Sequence, residues 1–320
     1  LVQANNARYQ YYSGLLKYKN TFADVHNVDA MFGITAEKWM TKKVVTAREK
    51  FEDVGVYDLN LATGTQGNGG GKTQNGTYSY IARVNYNYME KYMVELMGRR
   101  DGNSKFAPGY RFKNFASVSL GWAFSEEQFM DFIKPVLSFG KLRLSYGSSG
   151  NDVGLSDFDY VTTVPLGTTG FGTTPANQVS SSYGGLISYD RTWEKVEQKN
   201  FGIDLNFLDN RLKASFDYFI KDNKGMLVNV TYPGVLGGKA PKTNSGHLNV
   251  KGWEFTLGWR DQIKDFTYYA SFNIGDTKSM LKDMEGADSY GAGWNHNVNG
   301  YPLNSYFLYR TDGFFKDQAE

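Results

Sequence analysis

Apolar and aromatic residues recur at every second position along most of the chain, with polar or small residues between them. In the segment 75–106, Tyr78, Ala82 and Val84 share one parity, while Arg83 and Asn85 take the other. A period of two residues is that of a β-strand with one apolar and one polar face. The pattern predicts about eleven antiparallel strands, at residues 7–22, 27–39, 77–88, 91–100, 113–124, 139–148, 192–207, 211–230, 248–260, 265–276 and 302–315.

The connections between these strands alternate between short and long. The short set comprises residues 23–27, 89–91, 208–210 and 261–265, with 125–138 as its longer member. The long set is rich in Gly, Asn, Ser and Thr and comprises residues 40–75, 101–112, 149–191, 231–247 and 277–301. Alternate connections of an up-and-down sheet lie at the same end, so one end has tight turns and the other has large loops. Outer-membrane β-barrels have this asymmetry.

Strand length and the placement of aromatic residues decide between two all-β folds. Alternation by itself favours a soluble β-sandwich. The strands, however, have about 10 to 16 residues, where a membrane-crossing strand needs about 9 to 11 and an ordinary strand has about 5 or 6. Aromatic residues also cluster beside the short turns, as in the girdle at a headgroup layer: Tyr86, Tyr88, Tyr92, Phe207, Trp259 and Phe266. We therefore predict a transmembrane antiparallel up-and-down β-barrel.

Composition excludes several other classes. Aromatic residues make up 16% of the chain, with 36 Gly and 7 Pro, which suits strands and loops better than helices. The sequence contains 0 Cys, so disulfides, thiolate nucleophiles and cysteine-based metal sites are excluded. The 35 basic and 33 acidic residues are scattered along the sequence, without the basic stripe of a nucleic-acid binder, so no nucleic-acid partner is expected.

Motifs from residue 99 onward resemble those of a known family. The chain reads RRDGNSKF at 99–106, FASVSLGWAFSEEQF at 115–129 and GKLRLSYGSSGN at 140–151, followed by WEKVEQKNFGID at 193–204 and NSGHLNVKGWEF at 244–255. In this order they resemble the SusC/RagA family of TonB-dependent outer-membrane transporters, and the resemblance covers residues 75–320. The chain departs from the usual residues of the family at four positions: Asn103 stands where Ser is usual, Ala116 where Pro is usual, Gly140 where Leu is usual and Val250 where Asn is usual.

The resemblance implies an architecture and partners that the residues alone do not. Transporters of this family have a 22-stranded barrel in the outer membrane of a Gram-negative bacterium, a plug domain in the lumen and a TonB box. A SusD-like lipoprotein covers the external mouth, and the cargo is an oligosaccharide or a peptide. We expect residues 1–320 to be part of one β-barrel domain, about half of the barrel, with the plug domain, the TonB box and the final strands outside them.

Two other functions fit the pattern of strands. A passive porin or structural barrel has no plug and needs no energy. A soluble β-rich adhesin or carbohydrate-binding module stays in solution without detergent. The leading hypothesis is energy-coupled import, in which the polar strand faces line the lumen beside plug and cargo; these faces carry Arg83, Asn85, Asn87, Glu95, Arg99, Lys213, Asp217, Lys221, Glu254 and Arg260.

Candidate sites for chemistry are few. The run GNGGGKT at 67–73 lacks the spacing of a phosphate-binding loop and is predicted to be a flexible external loop. The three His residues are far apart in sequence, and no cofactor or metal centre is predicted. Oxygen ligands for calcium cluster only around residues 151–159, where a solvated loop is the favoured interpretation. No nucleophile, base and orienting group occur together, so the protein is not predicted to be an enzyme.

Two sets of residues are the candidates for binding and loop anchoring. Arg99 and Asp101 stand where a strand passes into an external loop and are predicted to form a salt bridge or loop anchor. Aromatic side chains in the long loops suit stacking on sugar rings, and they suit loop-to-loop or lid packing equally well; these are Phe171, Tyr183, Trp294 and Tyr301.

Overall fold

The computed structural model describes residues 1–51, 55, 58–171, 176–182, 185–229, 235, 241–284, 289–290, 297–311 and 313. Strands account for most of them. In chain order the strands are β1 (Val2–Phe22), β2 (His26–Arg48), β3 (Gln66–Tyr88), β4 (Tyr92–Asn103), β5 (Phe112–Trp122), β6 (Leu137–Asn151), β7 (Leu166–Phe171), β8 (Ala176–Ser181), β9 (Glu194–Phe207), β10 (Leu212–Asn229), β11 (Lys242–Ile263), β12 (Phe266–Met284), β13 (Ser289–Tyr290) and β14 (Asn297–Val298).

Helical structure is short in the described part of the chain. Its 3-10 helices are Leu59–Leu61, Phe124–Glu126 and Gln128–Ile133. No helix among the described residues is both long and apolar enough to cross a bilayer.

One sheet of ten strands dominates the described part of the chain. Its order is β1-β2-β3-β4-β5-β6-β9-β10-β11-β12, and every neighbouring pair is antiparallel. Neighbours in the sheet are therefore neighbours along the chain, except that β7 and β8 form a separate hairpin between β6 and β9. The prediction of an all-β, up-and-down antiparallel barrel wall is confirmed.

The two ends of the sheet differ as predicted. At one end the connections are residues 23–25, 89–91, 208–211 and 264–265, with 123–136 longer. At the other end they are residues 49–65, 104–111, 152–193 and 230–241. Two short turns have paired positive φ angles without glycine, at Ala23 (48°) and Asp24 (57°) and at Met89 (53°) and Glu90 (58°). Such left-handed pairs match the right-handed twist of the strands they join.

Two predictions about secondary structure are wrong. The run GNGGGKT is not a flexible loop, because it lies within β3 and pairs with β2, with Gly69 opposite Val45 and Gly70 opposite Val44. Backbone pairing continues through glycine because the ladder uses only main-chain groups, and the β-branched partners on β2 favour the extended conformation. The strand predicted at 302–315 is also wrong for the described residues 302–311, which form turns, one isolated bridge position and irregular structure, whereas residues 312, 314 and 315 lie outside the described residues.

The apolar face of the sheet is not covered by other parts of the described chain. Four residues of this face, Leu96, Leu120, Leu144 and Phe201, are 52%, 48%, 52% and 41% exposed. Leu120, Leu144 and Phe201 lie directly opposite one another on β5, β6 and β9, and Leu96 of β4 lies diagonally to Leu120, opposite Val118. A soluble protein rarely leaves a continuous apolar surface of this size uncovered. The exposed face is the surface that a lipid bilayer covers in a transmembrane barrel.

Candidate functional site

The register separates two faces across the sheet. Val84 lies opposite Leu96, which lies opposite Val118. One residue further along, Asn85 lies opposite Glu95. Because side chains alternate between faces, the apolar row and the polar row occupy opposite sides of the same strands. The polar side is the candidate lumenal wall.

The sheet curves around this polar side. Lys19 of β1 and Asn200 of β9 line one open cavity of about 440 Å³, although five strands lie between β1 and β9 in the order of the sheet. The cavity is also lined by polar side chains from the strands between them. The polar faces of β1 to β9 therefore converge, as the lumenal faces of barrel strands do.

A charged network spans three strands of the polar wall. The Arg143 guanidinium of β6 donates to Asp204 of β9 from Nε (2.7 Å, to Oδ2) and from Nη2 (3.0 Å, to Oδ1). It also donates to Asp217 of β10 from Nη1 (3.0 Å) and from Nη2 (2.9 Å). Asn200 donates to the Asp217 carboxylate at 3.0 Å, and Ser215 donates to the Asp204 carboxylate at 2.8 Å. Such two-pronged Arg–carboxylate pairs fix geometry as well as charge.

Gly202 makes room for this network. It lies opposite Arg143 on β6 and opposite Asp217 on β10. A Cβ atom at this position would lie 2.6 Å from Arg143 Cζ and 2.6 Å from Asp217 Oδ1. The glycine therefore lets the guanidinium lie flat against the β9 backbone.

The long-loop end of the wall has a small hydrophobic core. Phe106, Phe115, Leu155 and Trp193 are all at least nine-tenths buried, and Leu227 packs against them. The Trp193 ring lies 5.3 Å from Phe106 and 6.1 Å from Phe115 between centroids. Its indole Nε1 donates to the Arg111 carbonyl at 2.8 Å. We call these five packed residues the rim core; they join the 104–111 and 152–193 loops to β5 and β10.

Buried charged groups flank the rim core and are satisfied by hydrogen bonds. Arg191 is 6% exposed and donates to the Asp159 carboxylate (2.5 Å) and the Asp159 carbonyl (2.6 Å). Glu194 is also 6% exposed and accepts from the Asn151 side chain and the Leu227 backbone N–H, both at 2.8 Å. Because a buried charge is costly unless it is paired, these contacts hold the 152–193 loop in one position.

Arg99 and Asp101 lie close together on the polar side of β4. Arg99 Nη2 donates to Asp101 Oδ1 at 3.1 Å. Asp101 is buried, and it pairs with the buried Ser79 of β3. The Arg99 side chain is 40% exposed, and its Nε has no hydrogen-bond partner among the described residues. Arg99 also lies opposite Phe115 of the rim core.

The four loop aromatics are not brought together by the described structure. Phe171 ends β7, opposite Ala176. Tyr301 is half exposed, accepts the Leu281 N–H at its carbonyl (2.9 Å) and lies edge-on to Phe307 at 5.1 Å. Tyr183 and Trp294 lie outside the described residues. Stacking on cargo stays a prediction for all four.

The oxygen ligands considered for calcium have separate partners. Asp157 accepts from Asn75 at 3.0 Å, whereas Asp152 accepts from Asn103 at 2.6 Å. Asp159 is bound by Arg191. Among the described residues, no three His, Asp or Glu side chains form a group that suits a metal ion.

A carboxylate at the opposite, short-turn end fixes the longest of the connections there. Glu127 accepts from the Tyr92 hydroxyl at 2.5 Å and from Trp122 Nε1 at 3.2 Å, and it lies 3.5 Å from Lys91 Nζ. The Tyr92 and Trp122 hydrogen bonds, with the Lys91 charge, hold the pKa of Glu127 below its usual value. The turn 89–91 and the 123–136 connection are thereby joined.

Sequence reasoning did not find several of these features. Arg143 and Asp204 were not candidates, although their strands were placed correctly, because the contact depends on the register of β6 against β9. The rim core was missed because Phe106 and Leu155 belong to segments without period-two alternation. Glu127 belongs to the family-like motif at 115–129, and this membership is the feature of the sequence that could have indicated its role.

The fold and its two faces define the class of outer-membrane β-barrels. The family model described as "TonB dependent receptor-like, beta-barrel" matches residues 2–317. The chain therefore belongs to the TonB-dependent receptor β-barrel family.

Two curated relatives are similar along most of this chain. It is 30% identical over 308 residues to TonB-dependent receptor P39 of Formosa agariphila, covering 93% of this chain and 28% of the relative. It is 30% identical over 265 residues to TonB-dependent receptor SusC of Bacteroides thetaiotaomicron, covering 74% of this chain and 25% of the relative. The chain thus spans a quarter to three tenths of the length of these relatives.

Solved structures agree on the fold. The RagAB peptide importer in its closed-closed state matches 95% of this chain and 33% of its own, with a TM-score of 0.84 at 22% identity. The siderophore receptor PiuA from Acinetobacter baumannii matches 93% of this chain and 42% of its own, with a TM-score of 0.55 at 14% identity. Both matches show the same barrel fold, and the RagAB importer has the higher TM-score.

Proposed function

We propose that the chain forms part of the barrel wall of a TonB-dependent outer-membrane transporter that imports an oligosaccharide. The observation that carries the proposal is the match of the family model to residues 2–317, on a sheet whose register separates an uncovered apolar face from a polar one. A peptide is the alternative cargo, because the solved structure with the same fold is described as a peptide importer.

The polar wall has the properties that a rigid lumen needs. Arg143 is held by four hydrogen bonds to two carboxylates, so these charged groups are fixed before any plug or cargo arrives. Preorganised polar groups discriminate between ligands without a further ordering cost. We propose that this wall contacts the plug domain and borders the cargo path.

The loop-side rim is proposed to receive a SusD-like lipoprotein. The rim core and the buried Arg191 and Glu194 hold the 152–193 loop against β9, which supplies a fixed platform. The Arg99–Asp101 contact is proposed to anchor the neighbouring 104–111 loop. The half-exposed Tyr301 is the described aromatic residue proposed to stack on sugar rings, with Phe171, Tyr183 and Trp294 proposed for the same role.

Uptake by cells that express the complete protein tests the proposal. We expect labelled oligosaccharide to accumulate only when TonB and the proton-motive force are intact, and we expect the cognate lipoprotein to co-purify with the transporter. Uptake that persists without TonB supports a passive porin instead. Accumulation of peptides but not oligosaccharides supports the alternative cargo, and a protein that stays in solution without detergent contradicts the barrel altogether.

A further inference from the structure

The first three strands, β1, β2 and β3, continue past the end of the neighbouring β4 at the long-loop end. β4 ends at Asn103, opposite Thr77 of β3. Beyond that point β3 still pairs with β2, from Gly76 opposite Lys38 to Gln66 opposite Arg48, and β2 still pairs with β1. We call residues 2–10, 38–48 and 66–76 the projecting sheet.

The projecting sheet is basic on one face. Its sequence contains no Asp or Glu. The register places Arg8, Lys38, Lys42 and Lys72 at the same parity as the apolar residues of the uncovered face, such as Phe32. These four residues form what we call the basic patch. The nearest acidic residue in β2, Glu37, has the other parity and points to the polar side.

The basic patch has no counter-charge among the residues that the structure describes. All four side chains belong to exposed residues, and none forms a salt bridge with any described residue. Lys42 and Lys72 lie directly opposite each other on β2 and β3. Like charges in this position destabilise a strand pair unless an anion lies between them. The arrangement therefore favours binding of an anion from outside the described chain.

The height of the patch follows from strand geometry. Tyr88, beside the short turn, and Tyr78 share the apolar face and are ten residues apart. This separation is about 33 Å along the strand and about 25 Å perpendicular to the membrane at a tilt near 40°. An outer-membrane barrel has an apolar band about 25 Å tall between its aromatic girdles. Lys38 begins just beyond Tyr78, so the basic patch lies in the outer headgroup layer.

We propose that the basic patch binds the phosphorylated saccharide headgroups of glycolipid in the outer leaflet of the membrane. The inference rests on the proposed outer-membrane function. Continuity with the uncovered apolar face points the patch toward lipid rather than toward the lumen. Lysine ammonium groups and an Arg guanidinium are suited to phosphate oxygens. Amide side chains at the same parity suit saccharide hydroxyls, namely Asn6, Gln10, Asn68 and Gln74.

Lys42 and Lys43 supply a matched pair for the test. They are adjacent on β2, both are exposed, and they point to opposite faces. Lys42→Gln removes one charge from the patch, and Lys43→Gln removes one charge from the other face. The complete transporter is purified, stripped of endogenous glycolipid, and titrated with lipopolysaccharide by native mass spectrometry. Dephosphorylated lipopolysaccharide and inorganic phosphate are the comparison probes.

We expect Lys42→Gln to weaken lipopolysaccharide binding about five-fold, the contribution of one surface lysine near anionic headgroups. The double change of Lys42 and Lys72 to Gln is expected to weaken it more than Lys42→Gln alone, by a factor that differs from the product of two single changes because the two residues lie directly opposite each other. Lys43→Gln should change it less than two-fold, within the scatter of surface substitutions. Dephosphorylation of the glycolipid should abolish the difference between the variants, and inorganic phosphate should not displace the glycolipid at equal concentration.

Equal losses at Lys42 and Lys43 overturn the inference, as does unchanged binding of the dephosphorylated glycolipid. Displacement by equimolar inorganic phosphate also overturns it, because the site then recognises free phosphate. Cargo uptake by the Lys42/Lys72 variant separates this inference from the proposed function. Normal uptake with unchanged glycolipid binding refutes only the basic patch, whereas a wild-type protein that does not insert as a barrel refutes both.

Discussion

Arg143 of β6 and Asp204 of β9 share two parallel hydrogen bonds, Nε to Oδ2 at 2.7 Å and Nη2 to Oδ1 at 3.0 Å. The pair joins the two strands that are separated by the 152–193 connection. The Arg143 and Asp204 side chains are 31% and 29% exposed, so the pair is partly buried. The contact therefore fixes the register at the junction where the chain itself constrains it least.

Removal of the Asp204 carboxylate charge should destabilise the wall. We expect Asp204→Asn to lower the free energy of unfolding by about 2 kcal/mol, since hydrogen bonds to charged groups contribute about 1.5 to 3. Denaturant titration of the complete barrel in lipid measures this. Arg143→Lys is the matched variant that keeps the charge and loses the planar fork. Full stability of Arg143→Lys contradicts a role for the two-pronged geometry.

A methyl group at Gly202 should displace the same network. We expect Gly202→Ala to cost about 1 to 3 kcal/mol, because its Cβ would overlap Arg143 and Asp217 at 2.6 Å. Gly258 on β11 is the control position, since nothing lies within 4 Å of a Cβ there. The same denaturant titration compares the two variants. A Gly258→Ala variant as destabilised as Gly202→Ala would show that the cost comes from the strand backbone instead.

The assignment of faces predicts an asymmetry between adjacent positions on β11. Leu257 pairs with Ala214 and Phe272 on the apolar face, and Thr256 pairs with Ser215 on the polar face. We expect Leu257→Arg to cost about 2 to 4 kcal/mol if it lies at the bilayer midplane, and Thr256→Arg to be far milder. Unfolding of the barrel in lipid vesicles measures both. Equal effects at the two positions contradict the assignment of lipid and lumen.

The rim core predicts a local effect on the loops. We expect Trp193→Ala to lose about 3 to 5 kcal/mol of local stability, the usual cost of truncating a buried aromatic residue, and to expose the 152–193 loop to protease. Trp193→Phe keeps most of the packing with Phe106 and loses the hydrogen bond to Arg111. It should therefore show intermediate protection. Heat-modifiable mobility should stay unchanged in both variants, and its loss would place the effect in the barrel instead.

Glu127 predicts a pH dependence at the short-turn end. Its folded-state pKa is held below the unfolded value, chiefly by the Tyr92 hydroxyl and then by Trp122. The stabilisation that Glu127 contributes is therefore complete above its unfolded-state pKa of about 4.3, and it is lost as pH falls through the folded-state pKa. Trp122 fluorescence during acidification follows this change, with Trp122→Phe identifying its signal. Glu127→Gln should remove the transition, and a transition unchanged in that variant assigns it to another group.

Regular strands were predictable because their pattern is local. The parity of Tyr78, Val84 and Leu96 gives the apolar face directly, and the structure keeps them on one face. The glycine run at 67–73 was misassigned because glycine carries no side-chain pattern, while its pairing depends on residues of β2 far away in sequence. The strand predicted at 302–315 failed because alternation does not supply a neighbouring strand to pair with.

The candidate site was predictable only in part. Arg99 and Asp101 were noticed because they belong to a short motif. The charged network around Arg143 requires the register of three strands, which no local pattern specifies. The basic patch could not be predicted from the sequence either, because Arg8, Lys38 and Lys72 are far apart along the chain. They become neighbours only when β1, β2 and β3 pair.

The order of strands in the sheet has a consequence for how the barrel is assembled. Apart from β6 and β9, each strand of the described sheet pairs with the strand that precedes or follows it in the chain. Strands can therefore join a growing edge one at a time, in the order of synthesis, with little chain entropy lost at each step. Pairing β9 with β6 closes a loop of residues 152–193, whereas pairing β5 with β4 closes the shorter loop 104–111. The longer closure costs about 1.5 kcal/mol more, so joining β9 to β6 is entropically the more costly of these two steps.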